Sequence, residues 1–192
     1  PSGRCVQKPY VKGKSEEYAK DVLNRLHSGE LTHADSMKAH IPDSLKYQTL
    51  REKRTVYGGG GIMPDYFIPL DTTLYTRYYR ELSAKSYIIN ASLHYMDKHR
   101  KKLAKRYPTF AEFDEAFTVE DEVIEKMLAD AEKNKVKPKD EEERQKTIPQ
   151  LKRMLKALAA RDLWDMSEYF AIINEESEIV RKAVEIIEKW KD

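Results

Sequence analysis

Glycine placement constrains this chain more than any other feature. All seven glycines lie at or before Gly61, four of them in an unbroken run at 58–61, and none occurs from residue 62 onward. Glycine in a helix interior costs about 1 kcal/mol relative to alanine, so helices shed it while turns and close crossings keep it. The distribution predicts a mainly α protein: a small mixed α/β segment first, then an all-helical region with tight polar joints.

The apolar rhythm places the elements. Ser15 can cap a short helix with Tyr18, Val22, Leu23 and Leu26 on its apolar face, and Gly29 is placed to end it. A polar connection with His33 and His40 leads to Pro42. Cys5-Val6-Gln7, Thr55-Val56-Tyr57 and Tyr66-Phe67-Ile68 read as short strands, the last two flanking the glycine run. Asp71-Thr72-Thr73 is an N-cap cluster, with helices expected near 73–84 and 86–106, the second ending before Pro108.

Thr109 and Glu112 form a capping box for a short helix bearing Phe110, Phe113 and Phe117. Thr118 with Asp121 reads as a second box, opening a helix with Val119, Val123, Met127, Leu128 and Ala131 on one face. Pro138 and the run 139–146 read as a charged joint. A long helix is then expected to follow Pro149, through Leu151, Leu155, Leu158, Leu163, Met166 and Phe170. Asn174 and Ser177 separate it from a last helix expected to turn Ile179, Val180, Val184, Ile187 and Trp190 inside.

Charge and cysteine usage remove several function classes. Lys and Arg number 35 and Asp and Glu 33, a net charge of +2 that gives no electrostatic pull towards nucleic acid or an anionic membrane. No apolar run approaches the roughly 18 residues of a membrane span. The single cysteine, Cys5, leaves no internal disulfide framework and no cysteine-based zinc cluster.

Each chemical motif competes with a structural reading. The glycine run could cradle a phosphate, but such a loop needs a helix N-terminus after it, and here Ile62-Met63-Pro64-Asp65 and a predicted strand follow. A close crossing or bulge is the better reading. His27, His33, His40, His94 and His99 stand in no ligand pattern. The basic stretch Lys98-His99-Arg100-Lys101-Lys102 falls near a helix C-terminus, where cations complement the dipole. Tyr75, Tyr78, Tyr79, Tyr87 and Tyr95 have roughly helical spacing and suit a core rim or domain interface.

Nucleophilic catalysis needs a nucleophile, a base and an oxyanion hole. There is no Gly-x-Ser-x-Gly elbow, Ser83 and Lys85 point to different faces of one helix, and Cys5 has no base nearby in sequence. The pairs Glu16-Glu17 and Glu175-Glu176 read as ordinary surface charges. No catalytic, cofactor-binding or metal-ligating residue is assigned, and no cofactor is expected.

Two segments point further. Pro1-Ser2-Gly3-Arg4-Cys5-Val6-Gln7-Lys8-Pro9-Tyr10 resembles the strand-and-turn segment shortly after the catalytic lysine of carboxyl-terminal processing peptidases, the tail-specific serine proteases. Gly60-Gly61-Ile62-Met63-Pro64-Asp65 with Tyr66-Phe67-Ile68-Pro69 resembles the Gly-Ile-x-Pro-Asp strand that closes the protease core in that family. The stretch at about 11–53 resembles an insertion of exported bacterial members. The helical stretch from Thr72, with Tyr107-Pro108-Thr109-Phe110 and Ala160-Arg161-Asp162-Leu163-Trp164-Asp165-Met166, resembles their C-terminal extension.

The resemblance implies residues 1–71 as the end of a peptidase core with a helical insertion at about 11–53, and residues 72–192 as a helical C-terminal domain. It implies a parent endopeptidase with a Ser–Lys dyad, often with a PDZ domain, in the bacterial cell envelope or periplasm. The family's serine motif and Gly-Lys-Gly-type motif do not occur in this sequence, so no catalytic residue carries over and the chain alone is expected to be inactive. Pro1-Ser2-Gly3-Arg4, a turn at the start, also suggests a cut from something longer.

The expected role is therefore structural or regulatory: shaping substrate access or self-association beside the missing protease core, with the parent's protein substrates as indirect partners. The alternative is a free-standing helical module that binds a partner helix or peptide in an apolar groove. A third reading, an enzyme using Cys5, has only that residue to stand on.

Overall fold

A computed structural model describes residues 10–27, 43–51, 53–57, 66–69, 71 and 73–189, with the side chains of Asp21, Val22, Arg25, Leu26 and Leu45 excepted. The chain divides into two compact units, Pro1–Thr72 and Thr73–Asp192. The whole is mainly helical, with eight α-helices and one small antiparallel sheet among the described residues.

In the first unit Gly13 adopts φ +86°, a left-handed turn that suits glycine, and the Lys14 N–H donates to the Val11 carbonyl at 3.0 Å. Helix α1 (Ser15–His27) follows, with Glu16 and Glu17 in the first turn where the helix dipole favours them. Leu23 is exposed. Strands β1 (Lys46–Gln48) and β2 (Thr55–Tyr57) pair antiparallel, Tyr47 opposite Val56. Thr49 and Arg54 close the hairpin, the Thr49 N–H donating to the Arg54 carbonyl at 2.9 Å and the Arg54 N–H to Thr49 Oγ1 at 3.0 Å.

The β2 reading from sequence stands, but its partner Lys46-Tyr47-Gln48 is too polar to announce itself. Tyr66-Phe67-Ile68 is a bend and irregular backbone, not the expected strand. Cys5-Val6-Gln7, the glycine run, Gly29, His33 and His40 lie outside the described residues, as do the Val22 and Leu26 side chains.

The second unit begins its helices at Thr76, not at the Asp71-Thr72-Thr73 cluster. Thr76 Oγ1 accepts the Tyr79 N–H at 3.0 Å and caps α2 (Arg77–Ala84), which buries Tyr78, Tyr79 and Leu82. Ser86 takes φ +63° at the joint, and α3 (Tyr87–Arg106) buries Ile88, Ser92, Met96 and Leu103 along one face. The Thr109 and Glu112 capping box is present at the start of α4 (Phe110–Ala116).

The next expectation is corrected. Helix α5 (Asp121–Lys133) is preceded by Glu120 at the cap position, and Thr118 does not cap it. Phe117, Thr118 and Val119 run extended instead, with Phe117 and Val119 buried and Thr118 exposed. Alternation in an extended segment buries two apolar side chains that a helix would send to different faces.

The charged joint is also corrected. Helix α6 (Glu141–Leu163) starts before the expected point and carries Pro149 inside it. Asp140 caps it, its carboxylate accepting the Glu143 N–H at 2.8 Å, and Glu141, Glu142 and Glu143 sit where the dipole favours acids. Glu143 is held in turn by the backbone N–H groups of Lys139 at 2.6 Å and Tyr78 at 3.1 Å. These contacts anchor the first turns against α2, and tertiary packing outweighs the proline.

The expected run through Phe170 is two helices. Trp164 leaves the helical region at φ −127°, ψ −93°, and Asp165 caps α7 (Met166–Asn174) by accepting the Ser167 N–H at 3.1 Å. After Ser177, whose Oγ accepts the Val180 N–H at 3.3 Å, comes α8 (Glu178–Lys189).

Helix α6 is the element the others share: α2, α3, α5 and α7 all pack on it. Ala157, Ala159 and Ala160 are buried on it, small side chains that let neighbouring helices approach closely. Aromatic rings fill one end of the core, with Phe113 stacked on Phe117 at 4.5 Å and edge-on to Trp164 at 5.4 Å and Tyr107 at 5.6 Å.

Candidate functional site

The residues weighed from sequence separate cleanly in space. Tyr78 and Tyr79 are core, and only Tyr75, Tyr87 and Tyr95, partly buried against it, form the expected rim. Lys85 donates to Glu81 at 3.0 Å, and Ser83 is exposed. Arg100, within the basic stretch, donates to the Asp162 carbonyl at 2.5 Å and so ties α3 to the end of α6. Glu176 pairs with Arg153 of α6. Among the described residues no group of three His, Cys, Asp or Glu side chains could hold a metal ion, and no helix is long and apolar enough to cross a membrane.

Among the described residues two features present apolar surface that is not fully covered. The first is a groove of about 560 Å³ between α3 and α5. Residues four apart on a helix share a face. Tyr87, Ala91, Tyr95 and His99 therefore line one wall from α3, and Val123 and Met127 line the other from α5. Tyr95 and His99 stack at 4.5 Å. Burial first, and then the Glu120 carboxylate, push the Tyr95 phenol up to about 12.

The groove's borders carry opposite charge. Asn90, His94 and Lys98 edge it on α3, and Glu122, Lys126 and Asp130 edge it on α5. The His94 Nδ1–H donates to the Asn90 carbonyl at 2.8 Å. The hydrogen bond from Lys133 holds Asp130 below the usual carboxylate range, with smaller help from Lys126 and His94. Asp130 thus stays ionised at any neutral pH.

The second feature is α8. Ile179, Val184 and Ile187 are each about half exposed (50%, 49% and 53%), and no residue of the helix is buried. This overturns the expectation that the stripe turns inside; Trp190 lies outside the described residues. At 100° per residue, Ile179, Val180, Ala183, Val184, Ile186 and Ile187 fall within one arc of about 160°. Lys182 and Lys189 follow on one border of that arc, and Glu188 and Arg181 on the other. Glu185 accepts from Lys182 at 2.8 Å and from Lys189 at 2.7 Å, and these bonds lower its carboxyl to about 2.

The apolar face of α8 was legible in the sequence; its exposure was not. The groove was missed, although Val123 and Met127 were recognised as a face. A groove exists only once α3 and α5 are paired, which no local pattern states.

Neither a curated protein nor a solved structure matches the chain. Residues 78–165, which run from α2 through Asp165 at the start of α7, match the model of a protein family of unknown function, DUF8443.

Proposed function

We propose that this chain is the non-catalytic C-terminal region of a bacterial cell-envelope serine endopeptidase that processes proteins near their C-termini. Its immediate partner is the protease core of the same polypeptide, which brings the Ser–Lys dyad, with a PDZ domain where one is present. The helical unit shapes substrate access or self-association.

The two segments that resemble the peptidase, at 1–10 and 60–69, support the parentage through their residues and their order, although residues 11–53 separate them more widely than in compact family members. The observation that supports the role is α8: a helix with a broad apolar arc and no buried residue is built to be covered by another surface. Deleting residues 72–192 from the parent enzyme is expected to change its activity on a protein substrate or its oligomer size. An enzyme unchanged in both would overturn the role. The 192-residue chain alone is expected to cleave no protein substrate above buffer.

The groove between α3 and α5 favours a second reading, a free-standing module that binds a helix or extended peptide. The sequence upstream of the Pro1 codon separates the two. A Gly-Lys-Gly segment close by, with a serine motif before it, supports the peptidase; an upstream frame without either supports the module.

A further inference from the structure

We propose that α8 of one copy docks in the α3–α5 groove of a second copy, reciprocally, so that the chain forms a dimer by exchange of its last helix. The inference rests on the self-association part of the reading above and names the surfaces that perform it.

Breadth is the first argument. A two-helix seam needs only a narrow apolar stripe, whereas an arc of about 160° must contact walls on two sides. The groove offers two walls, Tyr87, Ala91 and Tyr95 on α3 and Val123 and Met127 on α5.

Length is the second. The twelve residues of α8 span about 18 Å, and the groove wall from Tyr87 to His99 also spans about 18 Å.

Charge is the third. The α5 border, with Glu122 and Asp130 around Lys126, is net acidic, and the α8 border with Lys182 and Lys189 is basic; Lys133 holds Asp130 and Glu185 holds both lysines through exposed pairs that docking would exchange. Lys182 and Lys189 are seven residues apart and Glu122 and Asp130 eight, so the two rows run at nearly one spacing. The opposite border of α8, with Glu188 and Arg181, carries no net charge towards the α3 border of His94 and Lys98, so the α5 side alone supplies the complementarity. Complementary rims fix register and orientation more than they add affinity.

Reciprocity is the fourth. One helix in one groove is small, but exchange gives each partner a helix and a groove. That doubles the surface one helix in one groove would bury, and it closes the assembly at two copies. Residues 175–177 are the hinge, a short joint of the kind that favours exchange over folding back.

The test is sedimentation equilibrium on the full 192-residue chain with exposed charge reversals, which leave the core untouched. The chain is expected to form a dimer. Lys182→Glu with Lys189→Glu, or Glu122→Lys with Asp130→Lys, should each weaken it at least tenfold, and the four changes together should restore it. Circular dichroism establishes that each variant is folded. A monomer at all concentrations up to about 0.5 mM, a Kd too weak for an interface of this size, overturns the proposal. A dimer weakened by the α8 pair but indifferent to the groove pair also overturns it, while leaving self-association through α8 standing. Either result is separate from the parentage, which the upstream sequence decides.

Discussion

The hydroxyls of Thr76 and Thr147, 71 residues apart in sequence, meet at 2.6 Å and lock α2 to α6. The direction of the bond follows from their other partners. Thr147 donates its proton to the Glu143 carbonyl at 2.6 Å, so Thr76 must be the donor between the two. Thr76 at the same time accepts the Tyr79 N–H. One hydroxyl therefore serves as helix cap and as tertiary tie.

Thr147 is fully buried, and replacing it by the near-isosteric valine removes the acceptor of the Thr76 proton from this part-buried contact. Thr147→Val is expected to cost about 1–2 kcal/mol, read as a lower midpoint of urea unfolding with an unchanged slope. An unchanged midpoint would show that the tie contributes nothing.

Glu143 joins the same two helices through charge. The Lys139 N–H first, then those of Tyr78 and the Arg77 guanidinium, hold its carboxyl below the ordinary value against the opposing effect of burial. A depressed carboxyl stabilises the fold above its unfolded pKa, near about 4.3, and that contribution disappears as pH falls through the lower folded value. Glu143→Gln is expected to be about 1.5–3 kcal/mol less stable at pH 7. The gap should narrow below about pH 4, as the wild-type group takes up its proton. A gap constant from pH 7 to pH 3 would mean that the loss is steric, not electrostatic.

Phe113 is the hub of the aromatic cluster, 0% exposed and packed on Phe117, Tyr107 and Trp164. Phe113→Ala is expected to cost about 3–5 kcal/mol, combining lost transfer energy with the cavity left behind. Phe170, half exposed on α7, is the control, and Phe170→Ala should cost less than about 1 kcal/mol. Equal losses in thermal unfolding would place the core elsewhere.

What the sequence made legible divides along a physical line. The Thr109–Glu112 box and the glycine-free helical region are local patterns that the second unit carries as read, whereas α8 keeps its apolar arc but leaves it exposed. The misreadings arise where long-range contact decided. Thr118 has the chemistry of a cap, yet burying Phe117 and Val119 keeps that segment extended. The polar strand β1 owes its form to β2. The α3–α5 groove is likewise a product of pairing, and no single-helix pattern encodes it.

Pro149 is the clearest conflict between local preference and the fold. A proline reads as a helix boundary, yet α6 runs through it from Glu141 to Leu163. With no N–H, Pro149 cannot donate to the Gln145 carbonyl, and its ring crowds that same group. The capped, acid-rich first turn and the Thr147 and Glu143 contacts to α2 hold the eight residues before it helical. Pro149 itself is exposed, so alanine fits there without disturbing packing. Alanine would restore the hydrogen bond and helix propensity, a gain of up to about 3 kcal/mol. It would also loosen the unfolded chain, which offsets about 0.4–1 kcal/mol. Pro149→Ala is therefore expected to raise the unfolding free energy by a net of about 1–2 kcal/mol, with the added protection from hydrogen exchange concentrated at residues 141–149. A loss of stability would instead mean that α6 needs a bend at Pro149 to reach α2.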